Sequence, residues 1–196
     1  MRPLSSEDRR ALLALARQSI VETVGHARIP DLPAPAGSLA EPCGAFVTIH
    51  CRGRLRGCVG RADRSAALAE IVVQSAINAA LHDSRFGAIG CSELDEMEIE
   101  ISVLSDLQPV SPRAIQAGTH GVLVSRGEQR AVLLPQVAAE RRWSAERFLR
   151  EACRKAGLEP DAWSNPETKI MAFTVEVFSE ADFAQRPPGV EIVRRR

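Results

Sequence analysis

A cysteine between two glycines is the residue of this sequence best suited to do chemistry. Cys58 lies in the segment Leu55-Arg56-Gly57-Cys58-Val59-Gly60, after a strand-like run and before a helix-like run. Arginines surround this segment, and nearby positive charge lowers the pKa of a thiol and activates it. They are Arg52, Arg54, Arg56, Arg61 and Arg64. The segment therefore predicts a nucleophilic thiol.

A thiol nucleophile works with a base, and the sequence offers several histidines for that role. The candidates are His50, His82 and His120, with Glu98 or Glu100 available to orient the imidazole ring. The predicted catalytic set is Cys58, His120 and Glu100. In the alternative interpretation the glycines serve only the backbone, and Cys58 is a small buried residue without reactivity, which is the commoner state of a cysteine.

The arginines also predict an anion-binding site. Guanidinium groups beside glycine-rich backbone bind phosphate and carboxylate groups well. The predicted ligand-binding residues are Arg54, Arg56, Gly57, Gly60, Asp83 and Arg85. In the alternative interpretation, the arginines are solvated turn residues that keep a sheet edge from pairing with other molecules. Asp83 and Arg85 would then form an ordinary loop ion pair.

Composition excludes some classes of function. The 25 basic and 25 acidic residues balance, which argues against a protein that coats nucleic acid. Aromatic residues make up 4% and tyrosine is absent, so bases have few stacking partners. The five cysteines contain no Cys-x-x-Cys pair and the histidines have no zinc-binding spacing, so no metal site is predicted. Without an apolar leader or a membrane-spanning run, we expect a reduced, cytoplasmic protein.

Hydrophobic periodicity predicts the elements that position these residues. A helix follows Ser5, another spans 66–81, and a third follows Ser144. Alternating patterns predict strands at 45–51, 55–59, 97–103, 122–134 (as a hairpin) and 169–178. Because hairpins alternate with helices, the order favours an α+β fold with antiparallel sheets and flanking helices.

The register of the first predicted hairpin determines which way Cys58 points. A two-residue turn at Gly53-Arg54 would place Cys58 opposite Ile49, on the face of Val47. A three-residue turn would place it opposite Thr48 instead, on the other face. Because side chains alternate along a strand, one residue of slip moves the thiol from the core to the surface. The sequence leaves both registers open.

Several segments together resemble one known family. In chain order they are Phe46-Val47-Thr48, Leu55–Gly60, Asp83-Ser84-Arg85-Phe86, Glu98–Leu104, His120-Gly121, Leu133–Val137 and Cys153–Leu158. This combination is similar to the AMMECR family, whose bacterial and archaeal members are called protein A of the AmmeMemoRadiSam system. The resemblance implies one domain over 5–180 made of two packed subdomains, a cleft near Leu55–Gly60, and a C-terminal tail at 181–196.

The resemblance also implies partners, namely a Memo-type protein and a radical S-adenosylmethionine enzyme, but no reaction class and no particular cofactor. From the residues we predict a cleft protein that binds or modifies an anionic small molecule or side chain. The alternative is a non-catalytic adaptor that docks a partner protein through the same surface.

Overall fold

The computed structural model describes residues 3–28 and 34–183. Residues 29–33 and most of the predicted tail (184–196) lie outside the described residues. The helices are α1 (Ser6–His26), α2 (Leu68–Leu81), α3 (Pro135–Glu140) and α4 (Ala145–Lys155). The strands are β1 (Ala45–Cys51), β2 (Arg54–Arg61), β3 (Met97–Leu104), β4 (Gln108–Pro109), β5 (Gly121–Arg126), β6 (Gln129–Leu133), β7 (Lys169–Phe173) and β8 (Val175–Ser179).

The strands form two antiparallel sheets, which confirms the predicted α+β class. The first sheet has the order β2-β1-β3-β8, and the second has the order β4-β7-β5-β6. Each sheet has its own hydrophobic core. Apolar residues of α1 and α2 pack on the first sheet, and those of α4 pack on the second. We call each sheet, together with the helices that pack on it, a subdomain.

The helix ends and buried faces have clear local causes. Ser5 and Asp8 form a reciprocal capping box at the start of α1, which satisfies two of the free amide groups there. Leu12, Ala16 and Ile20 recur at helical spacing and are fully buried. At the start of α4 the Ser144 hydroxyl accepts a single capping hydrogen bond from the Arg147 amide at 3.2 Å.

The alternating run from Lys169 to Phe178 is two strands rather than the single predicted strand. It breaks at Thr174, whose carbonyl accepts from the Ser105 amide at 2.9 Å and whose amide donates to Ser105 Oγ at 2.9 Å. β7 therefore belongs to the second sheet and β8 to the first. The hydrophobic alternation continues through the break in the sequence, but on β8 it does not follow burial, because Val177 is 41% exposed and Phe178 is buried.

The hairpin register places Cys58 opposite Thr48. The turn is a two-residue turn at Arg52-Gly53, with positive φ at both residues, as in a type I′ hairpin. A bulge between Ile49 and His50 then leaves one residue of β2, Arg56, without a cross-strand partner. The turn has the two-residue length of the first prediction but lies one residue earlier than Gly53-Arg54, and the bulge produces the register predicted for a three-residue turn.

The face of the first sheet that carries Thr48 points away from helices α1 and α2. The opposite face, with Val47 and Ile49, is fully buried in the first core. The second subdomain lies over part of the Thr48 face, where Gln136 of α3 donates a 2.9 Å hydrogen bond to Ser102 Oγ. Cys58 is therefore at the junction of the two subdomains rather than in either core.

Candidate functional site

The Cys58 thiol is half-buried on the Thr48 face of the first sheet. The Thr48 hydroxyl donates a hydrogen bond to Cys58 Sγ at 3.3 Å. The thiol is thus held in one position without being sealed in the core.

Asp83 and Arg85 hold the main chain of Cys58. β2 is the edge of its sheet, and at this residue its amide and carbonyl point outward. The Cys58 amide donates to Asp83 Oδ2 at 2.8 Å, and Arg85 Nη2 donates to the Cys58 carbonyl at 3.2 Å. Arg85 also donates two hydrogen bonds to the Asp83 carboxylate, from Nε to Oδ1 at 2.9 Å and from Nη2 to Oδ2 at 2.6 Å. This ion pair substitutes for one residue of a neighbouring strand.

The Asp83 carboxylate is strongly committed to the charged state. Asp83 is only 8% exposed. Hydrogen bonds from the Arg85 side chain, and then from the Cys58 amide, outweigh burial and hold the pKa of Asp83 well below its ordinary value. A carboxylate in this state is a fixed support for Cys58 and a poor proton donor.

Cys58 opens into a cleft between the two sheets. One pocket of about 280 Å³ is lined by Cys58, Asp83 and Arg85 on one side and by residues of β6, α3 and α4 on the other. A second pocket of about 660 Å³ adjoins it. Phe46, Val132 and Lys155 line both pockets. We call these two pockets together the intersheet cleft, and its size is that of typical ligand sites.

Two cations in the intersheet cleft are not neutralised by carboxylates. Lys155 Nζ donates to the Val132 carbonyl at 2.9 Å, and burial lowers the pKa of Lys155, with a further lowering by Arg85. Arg130, on β6, has no ion-pair partner in the part of the chain that the structure describes. By contrast, Arg61 is paired with Asp63 at 2.9 Å. The cleft is therefore suited to an anion.

Comparison with known proteins is decisive for the family. The AMMECR1 family model matches residues 13–178. The chain belongs to the AMMECR1 family. A relative from Methanothermobacter thermautotrophicus is 39% identical over 189 residues, covering 91% of this chain and 97% of its own. A Thermococcus kodakarensis relative is 39% identical over 181 residues, covering 86% and 88%. The crystal structure of an uncharacterized protein from Pyrococcus horikoshii has a TM-score of 0.82 and 35% identity, covering 86% and 89%.

In this AMMECR1 chain the predicted ligand-binding arginines lie in different places. Arg56 donates to the Glu93 carboxylate from Nε at 2.6 Å and from Nη2 at 3.0 Å. Its Nη1 also donates to the Gly87 carbonyl at 3.1 Å. Hydrogen bonds from Arg56 lower the pKa of Glu93 to about 2. Arg54 is exposed, and no partner for it occurs among residues 3–28 and 34–183. Both arginines line a separate, open pocket at the hairpin tip, away from the intersheet cleft.

The predicted glycines of the AMMECR1 signature are explained by packing. A Cβ on Gly57 would overlap the backbone carbonyl of Ala79 in α2. A Cβ on Gly60 would overlap the Ala45 carbonyl and the Phe46 ring. Gly60 lines the intersheet cleft, whereas Gly57 is buried against α2. A ligand-binding role for Gly57 stays a prediction without support from the geometry.

The structure does not bring the predicted base and orienting carboxylate to Cys58. Glu100 lies opposite Thr48 on β3, which puts it two strand spacings, or about 10 Å, from Cys58. Burial raises the pKa of Glu100, opposed by His50 and assisted by Glu140. His120 Nδ1 accepts from the Gln116 amide at 3.2 Å, within its own loop. Neither lines the pocket of Cys58, so catalytic roles for them stay predictions.

Thr48 and Lys155 are site residues that the sequence pattern did not identify. Both lie within segments that carry the resemblance or adjoin it, but their spacing from Cys58 along the chain contains no signal. Lys155 ends α4, ninety-seven positions after Cys58, and only the packing of the subdomains brings it to the pocket.

No described helix has the length and apolar content to cross a bilayer. No group of described side chains is arranged to hold a metal ion.

Proposed function

We propose that this AMMECR1 protein binds an anionic small molecule or acidic side chain in the intersheet cleft, beside the Cys58 thiol. The observation that carries the proposal is the Lys155 ammonium group, which lies in the pocket of Cys58 and whose one hydrogen-bond acceptor among the described residues is the Val132 carbonyl. A partly desolvated cation is unfavourable without a negative charge beside it. A bound carboxylate or phosphate supplies that charge.

Three groups prepare the Cys58 thiol to meet such a ligand. The Thr48 hydroxyl donates to the sulfur, while Asp83 and Arg85 fix the main chain on either side of it. Arg85 also lines the pocket, so its exposed edge adds positive charge beside the sulfur. The arrangement is suited to holding an anion beside the Cys58 sulfur, whether the sulfur reacts or only contacts the ligand.

Differential alkylation tests this proposal. Iodoacetate is an anion and iodoacetamide its neutral analogue, and both react when the thiolate displaces iodide. In the wild-type protein we expect a higher iodoacetate-to-iodoacetamide rate ratio at Cys58 than at the exposed Cys91. Lys155→Ala should lower the Cys58 ratio about fivefold, which corresponds to ~1 kcal/mol of lost charge attraction. Rates are measured by mass spectrometry of the labelled peptides.

Lys169→Ala is the matched control, because Lys169 is exposed on β7 and lies outside the intersheet cleft. It should leave the ratio at Cys58 unchanged. Equal ratios at Cys58 and Cys91 in the wild type, or a Lys155→Ala protein that behaves like wild type, would contradict an anion site at this thiol.

A second candidate function is the adaptor, favoured by the exposed tip of the first hairpin. Leu55 is 39% exposed there beside the unpaired Arg54. We propose Memo-type and radical S-adenosylmethionine proteins as partners in the cytoplasm, on the basis of family membership. If the tip docks such a partner, Leu55→Ser should weaken co-purification at least tenfold while Lys155→Ala leaves it unchanged. The reverse pattern would assign the partner to the cleft instead.

A further inference from the structure

The intersheet cleft is bordered by the edges of both sheets. β2 is the last strand of the first sheet, and β6 is the last strand of the second. Gly60 and Arg61 of β2 line the larger pocket together with Arg130, Ala131 and Val132 of β6. Edge strands expose main-chain donors and acceptors that can pair with another extended chain.

On β2, the groups that face the cleft belong to Gly60. The Cys58 amide and carbonyl point outward, because Asp83 and Arg85 bind them from outside the sheet. In an antiparallel ladder the outward groups recur at every second residue, so those of Gly60 point the same way. No described side chain or loop occupies them as Asp83 and Arg85 occupy those of Cys58.

On β6, Val132 occupies the equivalent position. Its carbonyl points away from β5, because Lys155 Nζ binds it from outside the sheet. By the same alternation the main chain of Arg130 also faces outward. A ligand between the two edges therefore meets the free main-chain groups of Gly60 on one side and those of Arg130 on the other, with the apolar surfaces of Phe46 and Leu123 between them.

We infer that the ligand of the intersheet cleft is an extended acidic peptide segment. Its main chain pairs with Gly60 at the β2 edge, and an Asp or Glu side chain reaches Lys155 and Arg130. This inference rests on the proposed function and names its ligand class. A compact anion can neutralise the two cations but leaves the donors and acceptors of Gly60 to water, whereas a β-strand satisfies both sets.

Charge decides which peptide fits. Four cations line the cleft, Arg61, Arg85, Arg130 and Lys155, against the two carboxylates Asp63 and Asp83. Both carboxylates are already paired with arginines, at 2.9 and 2.6 Å. The excess of positive charge selects acidic peptides. It disfavours basic ones, including the chain's own terminal Arg194-Arg195-Arg196.

The experiment compares three pools of acetylated pentapeptide amides with mixed flanking positions. The central residue is Glu in the first, Lys in the second, and N-methylated Glu flanked by N-methylated residues in the third. Binding is measured by isothermal titration calorimetry and by the NMR shift of the Gly60 amide. We expect the Glu pool to bind at least tenfold more tightly than either other pool and to shift Gly60. Lys155→Ala should weaken it at least fivefold, and Lys169→Ala should not.

The outcomes separate the inference from the proposed function. If glutarate binds as tightly as the Glu pool and the N-methylated pool loses nothing, the peptide inference is overturned while the anion site remains. If the Lys pool or a single-stranded oligonucleotide binds more tightly than the Glu pool, the inference is likewise overturned. If neither glutarate nor any pool binds, and Cys58 shows no preference for iodoacetate, both proposals fail together.

Discussion

Gly57→Ala is expected to destabilise the protein by about 3 kcal/mol. The added methyl group would overlap the carbonyl of Ala79, which is main chain inside α2. A flexible side chain could rotate away, but a helix backbone can yield only if β2 or α2 shifts as a whole. The cost therefore falls at the upper end of the range for an overpacked core. Urea unfolding followed by circular dichroism measures it.

Gly87→Ala provides the matched control for this prediction. Gly87 has open space where its Cβ would be and no positive φ, so its substitution should change stability by less than about 0.5 kcal/mol. Equal unfolding midpoints for the Gly57→Ala and wild-type proteins would show that β2 and α2 are not in close contact there. If Gly57 served only in ligand binding, Gly57→Ala would leave the unfolding midpoint unchanged.

Asp83→Ala is expected to lower the free energy of unfolding by about 2 to 3 kcal/mol near neutral pH. The substitution removes the acceptor of the Cys58 amide and the partner of Arg85. Most of the cost comes from the lost acceptor, because Arg85 is 56% exposed and water screens its charge. Chemical denaturation measures the change.

The loss should depend on pH. The pKa of Asp83 is lowered in the folded protein, so its stabilisation is fully present above the unfolded-state pKa of about 3.9. It is lost progressively as pH falls through the folded-state value. The stability difference between wild type and Asp83→Ala should therefore be constant from pH 7 to 5 and shrink below about pH 4.

Asp63→Ala is the control for the Asp83 prediction. Asp63 also pairs with an arginine two residues away in sequence, but both side chains of that pair are largely exposed. Its removal should cost about 0.5 kcal/mol. If Asp63→Ala and Asp83→Ala lower the free energy of unfolding equally, the hydrogen bond from the Cys58 amide to Asp83 would add no stability beyond that of an exposed ion pair.

Local sequence predicted the elements well where one physical signal dominated. Capping by Ser5 and Ser144 and the periodic apolar faces located α1 and α4. The run from Lys169 to Phe178 was the main error in the strands, because alternation reports burial of one face and not which sheet buries it. The two hydrogen bonds between Thr174 and Ser105, one to the Thr174 carbonyl and one to the Ser105 hydroxyl, divide that run.

The arginines around Cys58 show where pattern reasoning fails. Their density predicted a common anion site, yet Glu93 and Glu96 bind two of them at the hairpin tip. Those carboxylates lie about forty residues further along the chain, and a sequence pattern contains no information on such pairing. The cations that do border the thiol pocket, Arg85 and Lys155, come from a loop and from the second subdomain.

The sequence by itself determined the family and the α+β class. It also predicted a site at the segment from Leu55 to Gly60. Only the tertiary structure decided where the side chains of that segment lie. A bulge at Arg56 turned Cys58 toward Thr48, Asp83 and Arg85 held its edge, and the second subdomain placed Lys155 opposite. The physical reason is that register and ion pairing depend on long-range packing, whereas capping and amphipathic faces depend on near neighbours.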